Sequence, residues 1–186
     1  MMPRAAAIAL AVGLAACCAI QSARAEVIVG AGGGLSQLSK YKDVDEGTAY
    51  RVFAGYRASD LPLYFEVQYF DSGELDIDDF DGVDNISMQF DGWTAAVGYR
   101  AVLSDKGSDI VLKGGGYIQD TELESSLGDA KDDGSGAMVG LTINWMLTDR
   151  FGVSFDAQGL FGVEDFANKE DLTLLTIGAV YSFYTD

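Results

Sequence analysis

The segment 172–183 reads LTLLTIGAVYSF, and its alternating pattern decides the fold. From 175 to 183 the odd positions carry Leu, Ile, Ala, Tyr and Phe, which are all apolar or aromatic. From 174 to 182 the even positions carry Leu, Thr, Gly, Val and Ser, which are smaller or more polar on average. Because successive side chains of a β-strand point to opposite faces, this period of two predicts a strand with one continuously apolar face.

Seven segments upstream repeat this alternation. Together with 172–184, the predicted strands are 26–38, 48–58, 62–75, 87–103, 109–122, 136–148 and 150–163. Short connections follow the second, fourth and sixth strands, whereas the longer connections are 39–47, 76–86, 123–135 and 164–171. Short and long connections in alternation predict an antiparallel up-and-down meander, which can close into a barrel without free edges.

The charged residues indicate which face of this barrel would meet water. The less apolar face of the strands carries few of them, namely Arg51, Glu66, Lys113 and Asp156, together with Asn144. A soluble exterior would carry many more charges, whereas a transmembrane barrel turns its apolar face to lipid and encloses a polar lumen. We therefore predict an all-β fold, an eight-stranded antiparallel up-and-down transmembrane β-barrel.

Aromatic residues fall near both ends of the predicted strands. Those toward the short connections are Tyr56, Tyr99, Trp145, Tyr181 and Phe183, and those toward the long connections are Tyr50, Phe90, Tyr117 and Phe161. Two such bands are typical of the aromatic girdles that membrane barrels place at the two interfaces.

The first 25 residues have the composition of an export signal. A basic start is followed by the uncharged run Ala5–Ile20, and Ala23 and Ala25 supply the small residues that signal peptidase reads. Cleavage after Ala25 would divide the chain into a signal peptide, 1–25, and a barrel domain, 26–186. An alternative stays open, because Leu14–Cys17 resembles a lipobox and acylation of Cys17 would make the protein a lipoprotein.

The composition of the exported part excludes several functions. Removal of the signal takes Arg4 and Arg24 from the 12 basic residues and leaves all 29 acidic ones, with no Cys and no His. The exported part therefore lacks the commonest general base and the usual zinc ligands. Its strong negative charge argues against nucleic acid as a partner, since phosphates need Lys and Arg. We expect no catalytic residue, no cofactor and no metal site.

Two motifs invite a ligand-binding interpretation that their details do not support. The glycine run Gly30–Gly34 lacks the Lys and the Ser or Thr of a phosphate-binding loop. The acidic segment Asp76–Asn85 (DIDDFDGVDN) lacks two of the oxygen ligands that a calcium loop needs. We interpret the first as barrel wall and the second as a solvated acidic loop.

Several short motifs resemble one family in their order and spacing. They are Gly55–Arg57 (GYR), Tyr64–Asp71 (YFEVQYFD), Ala96–Tyr99 (AVGY), Leu147–Val153 (LTDRFGV) and Tyr181–Phe183 (YSF). The set resembles the transmembrane domain of outer-membrane protein A and related small eight-stranded barrels. The resemblance implies a barrel in the outer membrane of a Gram-negative bacterium, with its termini in the periplasm. Because the chain stops at Asp186, no peptidoglycan-binding domain and no cell-wall anchoring role are expected.

The C-terminal strand carries the sharpest motif. Thr176, Gly178, Tyr181 and Phe183 fit a polar-x-Gly-x-x-aromatic-x-aromatic pattern. This pattern resembles the signal that the barrel-assembly machinery reads on its clients, and its physical basis would be an edge strand that can pair with the machinery. We therefore expect that machinery as a partner during biogenesis.

Buried charges must be paired, so the lumen residues Arg51, Glu66, Lys113 and Asp156 are expected to form an ion-pair network. Arg51 and Glu66 lie on adjacent predicted strands, and we predict that they touch or share one network. The network would act as a structural plug. A gated ion path is the alternative.

Twenty of the 29 acidic residues lie in or beside the long connections. In an outer-membrane barrel the long loops face outward, beside anionic lipopolysaccharide. We expect contact with outer-membrane lipid and lipopolysaccharide, with Mg²⁺ or Ca²⁺ bridging the acids, or else loops that stand clear of the headgroups.

The leading functional hypothesis is a monomeric, non-enzymatic outer-membrane barrel with a structural or surface-interaction role. A narrow regulated pore is the alternative. A third hypothesis is a soluble or lipid-tethered periplasmic barrel that binds lipid.

Overall fold

The computed structural model describes residues 25–38, 46–58, 61–77, 86–124, 130–164 and 169–185. The strands are β1 (Ala25–Leu38), β2 (Gly47–Ala58), β3 (Leu63–Ile77), β4 (Ile86–Val102), β5 (Asp109–Glu124), β6 (Ala130–Met146), β7 (Phe151–Glu164) and β8 (Lys169–Thr185). Each pairs antiparallel with its neighbours in the chain, and β1 pairs with β8, so the sheet is a closed barrel. The predicted fold class is confirmed. No described residue belongs to a helix long and apolar enough to cross a membrane.

The strand registers give the barrel a definite stagger. Val27 of β1 pairs with Tyr56 of β2, and the path of paired residues, followed once around the barrel, returns to β1 at Gln37, ten residues farther along. Closure with a stagger tilts the strands by roughly 35–45° to the barrel axis, and eight strands leave an interior just wide enough for side chains to fill.

Buried and exposed side chains alternate along the strands as the sequence predicts. In β2, Arg51, Phe53 and Arg57 are buried inside the barrel, whereas Tyr50 and Val52 are 57% and 59% exposed on its outside. The predicted outer face of β8 is also exposed, at Leu175, Ile177, Ala179, Tyr181 and Phe183. The outer surface is therefore apolar where the strands alternate cleanly, as contact with lipid requires.

The largest differences from the predicted strand bounds lie on the side of the long connections, in β6 and β8. β6 begins at Ala130 instead of residue 136, and β8 begins at Lys169 instead of residue 172. The predicted loops 123–135 and 164–171 are therefore wrong in part. Beyond the apolar zone neither face of a strand needs to be apolar, so the period of two disappears from the sequence while the backbone pairing continues.

The predicted aromatic band toward the long connections is wrong for two of its four residues. Phe90 and Tyr117 are only 1% and 4% exposed, because both share the register of the lumen face. On the exterior at this level lie Tyr69 and Trp93, whose rings meet edge to face with 5.4 Å between centroids. Tyr50 and Phe161 are exposed on the outside, in agreement with the prediction.

Candidate functional site in the barrel lumen

Four charged side chains from four strands meet in the middle of the lumen. Lys113 of β5 lies at the centre, with its Nζ 2.5 Å from Glu66 Oε1 and 2.8 Å from Asp156 Oδ1. Arg51 Nη1 lies 3.2 Å from the same Asp156 oxygen. All four side chains are at most 1% exposed. This central charge layer (Arg51, Glu66, Lys113 and Asp156) has two positive and two negative groups, so its formal charge sums to zero.

Arg51 and Glu66 do not touch each other, but they share one charge network. Arg51 lies opposite Phe70 and Glu66 lies opposite Gly55, so the register sets the two side chains four residues apart along β2. The guanidinium of Arg51 instead reaches across the lumen to Asp156 and to Ser154 Oγ, 2.8 Å away. Arg51 and Glu66 are therefore connected through Asp156 and Lys113.

Polar neighbours occupy the remaining hydrogen-bonding positions of the two carboxylates. Tyr64 donates its hydroxyl proton to Glu66 Oε2 at 2.6 Å. Thr142 donates to Asp156 Oδ1 at 2.5 Å, and Gln158 donates to Asp156 Oδ2. Charges buried away from water are tolerable when such bonds accompany the ion pairs.

Glycines on both sides of Lys113 create the space for its side chain. Lys113 lies opposite Gly98 on β4 and opposite Gly140 on β6. A Cβ atom at Gly140 would come within 2.9 Å of Lys113 Cε, and one at Gly98 would come within 3.1 Å of Lys113 Cβ. These two glycines therefore leave the room in the lumen that the long side chain of Lys113 needs.

A second charged layer lies at the end of the lumen where the short turns and both termini meet. Arg57 Nη1 donates to Glu26 Oε1 at 2.6 Å, and its Nη2 lies 3.0 Å from Asp109 Oδ2. Arg100 Nε donates to the same Asp109 oxygen at 2.6 Å. The sequence analysis did not predict this mouth charge layer (Glu26, Arg57, Arg100 and Asp109). The available signal was the spacing of Arg57, which follows Arg51 by six residues and so falls on the same face of the predicted strand.

Apolar side chains separate and cover the two charged layers. The buried residues of β5 give the order of the layers along the lumen. Asp109 belongs to the mouth charge layer, Val111 to an apolar cluster, Lys113 to the central charge layer and Tyr117 to a second apolar cluster. Between the charged layers lies one apolar cluster, made of Ile28, Phe53, Tyr64, Val111, Met146 and Val180. Toward the long connections lies a larger one, the outer apolar cluster, made of Leu38, Ala49, Phe70, Leu75, Met88, Phe90, Tyr117, Met138, Leu160, Leu172 and Leu174.

The family follows from comparison with known proteins. The model of the outer membrane protein beta-barrel domain matches residues 8–183. The chain belongs to this outer-membrane barrel family. No curated protein matches the chain.

Solved outer-membrane barrels share the fold at low sequence identity. Ail, the attachment invasion locus protein of Yersinia pestis, was solved with the heparin analogue sucrose octasulfate; it is 12% identical over 86% of this chain and 99% of its own, with a TM-score of 0.62. Neisserial surface protein A is 16% identical over 86% and 97%, with a TM-score of 0.60. OprG from Pseudomonas aeruginosa is 15% identical over 88% and 97%, with a TM-score of 0.56. The location of this protein is the bacterial outer membrane, as predicted.

On the exterior of this outer-membrane barrel, four aspartates form a continuous row across four strands. Asp71 pairs with Asp91, Asp91 with Asp120, and Asp120 with Asp133. The row lies just beyond the Tyr69–Trp93 aromatic pair, on the side of the long connections. Like charges directly opposite each other in a sheet repel, so this aspartate row favours a cationic neighbour.

The residues of the C-terminal motif lie on both faces of β8. Thr176 is buried and Gly178 is half-buried on the lumen side, and Tyr181 and Phe183 are exposed with ring centroids 4.8 Å apart. Gly178 lies opposite Gly32 at the seam where β8 meets β1. A Cβ atom at Gly178 would come within 2.5 Å of Gly32 Cα, so only glycine allows this approach. The proposed processing residues Ala23 and Cys17, and residues 78–85 of the acidic loop, lie outside the described residues.

Proposed function

We propose that this outer-membrane barrel is a structural, non-conducting and non-enzymatic protein that displays an acidic surface outside the cell. The observation that carries the proposal is the outer apolar cluster, whose eleven buried side chains fill the lumen toward the long connections. An ion entering there would lose its hydration shell to an apolar layer before it reached any charged group.

The central charge layer supports the same proposal. Its charges are mutually neutralised and fixed by hydrogen bonds, so it presents no free charge that would attract a permeating ion. An ion would therefore have to pass the outer apolar cluster and then the central charge layer to cross the lumen. Recognition by the barrel-assembly machinery and contact with lipopolysaccharide through divalent cations stay predictions from the sequence.

A narrow pore is the second candidate, and one observation favours it. Among the described residues, Thr94 Oγ1, Thr176 Oγ1 and Gln119 Oε1 are buried without a hydrogen-bond partner. Buried polar groups of this kind are commonly satisfied by water, and a lumen that holds water is what a narrow pore would need.

Planar-bilayer recording of the purified, refolded barrel separates the two candidates. We expect no discrete current steps above the bare bilayer, because the outer apolar cluster closes the lumen. Insertion is checked in the same preparation by the shift in gel mobility between unheated and heated protein. Reproducible ion-selective steps from inserted protein would overturn the structural proposal in favour of the pore.

A further inference from the structure

The seam where β1 meets β8 has few side chains on its lumen side. The three central inward positions of β1 are all glycine, at Gly30, Gly32 and Gly34. A Cβ atom at Gly32 would come within 2.8 Å of Ile177 O on β8, and one at Gly30 would come within 2.5 Å of Phe53 Cζ. The middle of β1 therefore offers the lumen no side chain of its own, and glycine weakens a strand because it has no side chain to pack.

Side chains hold β1 at its two ends instead. Toward the long connections, Ser36 Oγ donates to Ser72 O on β3 at 2.6 Å, and Leu38 lies in the outer apolar cluster. Toward the short turns, Ile28 is buried in the smaller apolar cluster, and Glu26 belongs to the mouth charge layer. Glu26 is the one charged residue of β1, so it supplies the electrostatic part of the attachment at this end.

The carboxylate of Glu26 contacts three other strands. Its Oε1 accepts hydrogen bonds from Arg57 Nη1 on β2 and from Ser182 Oγ on β8, each at 2.6 Å. Its Oε2 lies 3.7 Å from Arg100 Nη2 on β4, which is not a neighbour of β1. The Glu26 side chain is only 13% exposed, and charge-assisted bonds are stronger where little water competes. A single side chain of β1 therefore binds both of the strands that flank it and a third strand.

The two arginines are held in place independently of Glu26. Asp109 Oδ2 of β5 lies 3.0 Å from Arg57 Nη2, and it accepts a hydrogen bond from Arg100 Nε at 2.6 Å. Asn144 Nδ2 of β6 donates to the other oxygen of Asp109 at 2.8 Å. Loss of the Glu26 carboxylate would therefore leave both cations beside a buried anion, while β1 would lose its polar attachment.

We propose that Glu26 is a seam clasp, a side chain that holds the short-turn end of β1 against β2 and β8 and so keeps the barrel closed there. Its partners lie on β2, β4 and β8, and they come within reach of one carboxylate only when β1 lies between its two neighbours. The glycine-rich middle of β1 makes the clasp necessary, because a strand weakened there would otherwise fray from this end. The role is separate from the non-conducting function proposed above.

Hydrogen exchange of the refolded barrel in lipid nanodiscs, read by mass spectrometry of its peptides, tests the clasp. Glu26→Met keeps the length of the side chain and removes its charge. We expect amide exchange at residues 27–30 and 180–183 to become about tenfold faster. Exchange at residues 110–112 and 141–144, where β5 pairs with β6 at the same end of the barrel, should change by less than about twofold.

Glu74→Met is the matched control, because Glu74 is exposed on β3 at the opposite end of the barrel, and it should leave exchange unchanged in both regions. If Glu26→Met fails to fold, Ser182→Ala removes one bond of Glu26 and keeps its charge, and it should speed exchange at the seam by about threefold or more. Equal acceleration throughout the barrel would mean general destabilisation and would overturn the proposal, as would unchanged exchange at the seam. A conducting lumen would leave this result unaffected, so the two proposals can fail separately.

Discussion

Lys113 is the residue on which the central charge layer depends, because its ammonium group contacts both carboxylates. Removal of a single partner leaves buried charge uncompensated, which costs far more than an exposed ion pair contributes. The position also depends on two glycines, Gly98 and Gly140, so the site is specified by small residues as much as by charged ones.

Lys113→Met should destabilise the barrel by about 3–5 kcal/mol, because Glu66 and Asp156 would stay buried without their shared cation. Reversible urea unfolding in lipid vesicles, followed by tryptophan fluorescence, measures the change. The matched control is Lys131→Met, which breaks an exposed pair with Glu122 and should cost less than about 1 kcal/mol. Equal losses from the two variants would contradict burial of the central layer.

At this scale the sequence predicts which face a residue occupies better than which partner it meets. Alternation along single strands placed Arg51, Glu66 and Lys113 on the lumen face. The partner of Arg51 depends on the stagger between strands and on how far its long side chain extends across the lumen. The sequence of a single strand determines neither. Glu26 and Asp109 lie at strand ends, where alternation is too short to assign a face with certainty.

Among the elements, β8 has the most demanding role, since it must pair with β1 to close the barrel. Its register with β1 runs unbroken from Leu38 and Leu172 to Ala25 and Thr185. In lipid each unpaired backbone group costs several kcal/mol, so a barrel left open at this seam would not persist in the membrane.

Phe183→Ala should lower the amount of protein in the outer membrane several-fold and leave periplasmic aggregates or degradation products, because it removes the terminal aromatic of the assembly motif. Immunoblotting of membrane and periplasmic fractions measures this. Phe155→Ala is the matched control, because Phe155 on β7 is 46% exposed and Phe183 is 49% exposed. Similar losses from both variants would indicate a general requirement for lipid-facing aromatics instead of a signal in β8.

Strand number and order could be predicted because lipid outside and a filled lumen inside impose the same alternation on every strand. Strand length could not, as β6 illustrates: Lys131 to Gly136 pair with β5 in a region where both faces meet water. The sequence therefore predicted an acidic loop over residues 130–135, where the structure has the first residues of β6.

One pattern, the alternation of side chains along every strand, accounts for the shape of the whole molecule. It gives the closed barrel its apolar exterior and its filled lumen. Each strand presents one face to lipid and the other to a lumen lined with buried side chains. The family and the outer-membrane location agree with the exterior. The sealed interior is the part of the account that the fold alone does not fix, since barrels of this architecture differ in how their lumens are filled.

Site-directed spin labelling along β7 tests this central claim most directly. Both cysteines of the chain, Cys17 and Cys18, precede the barrel, so once those two are removed single cysteines can be introduced from Val153 to Leu160, except at Asp156 of the central charge layer. In vesicles, labels at odd positions should be accessible to oxygen, as in lipid, and labels at even positions should be protected from oxygen and from a water-soluble nickel complex. Even positions open to nickel would contradict the sealed lumen, and odd positions protected from oxygen would contradict the lipid-facing exterior.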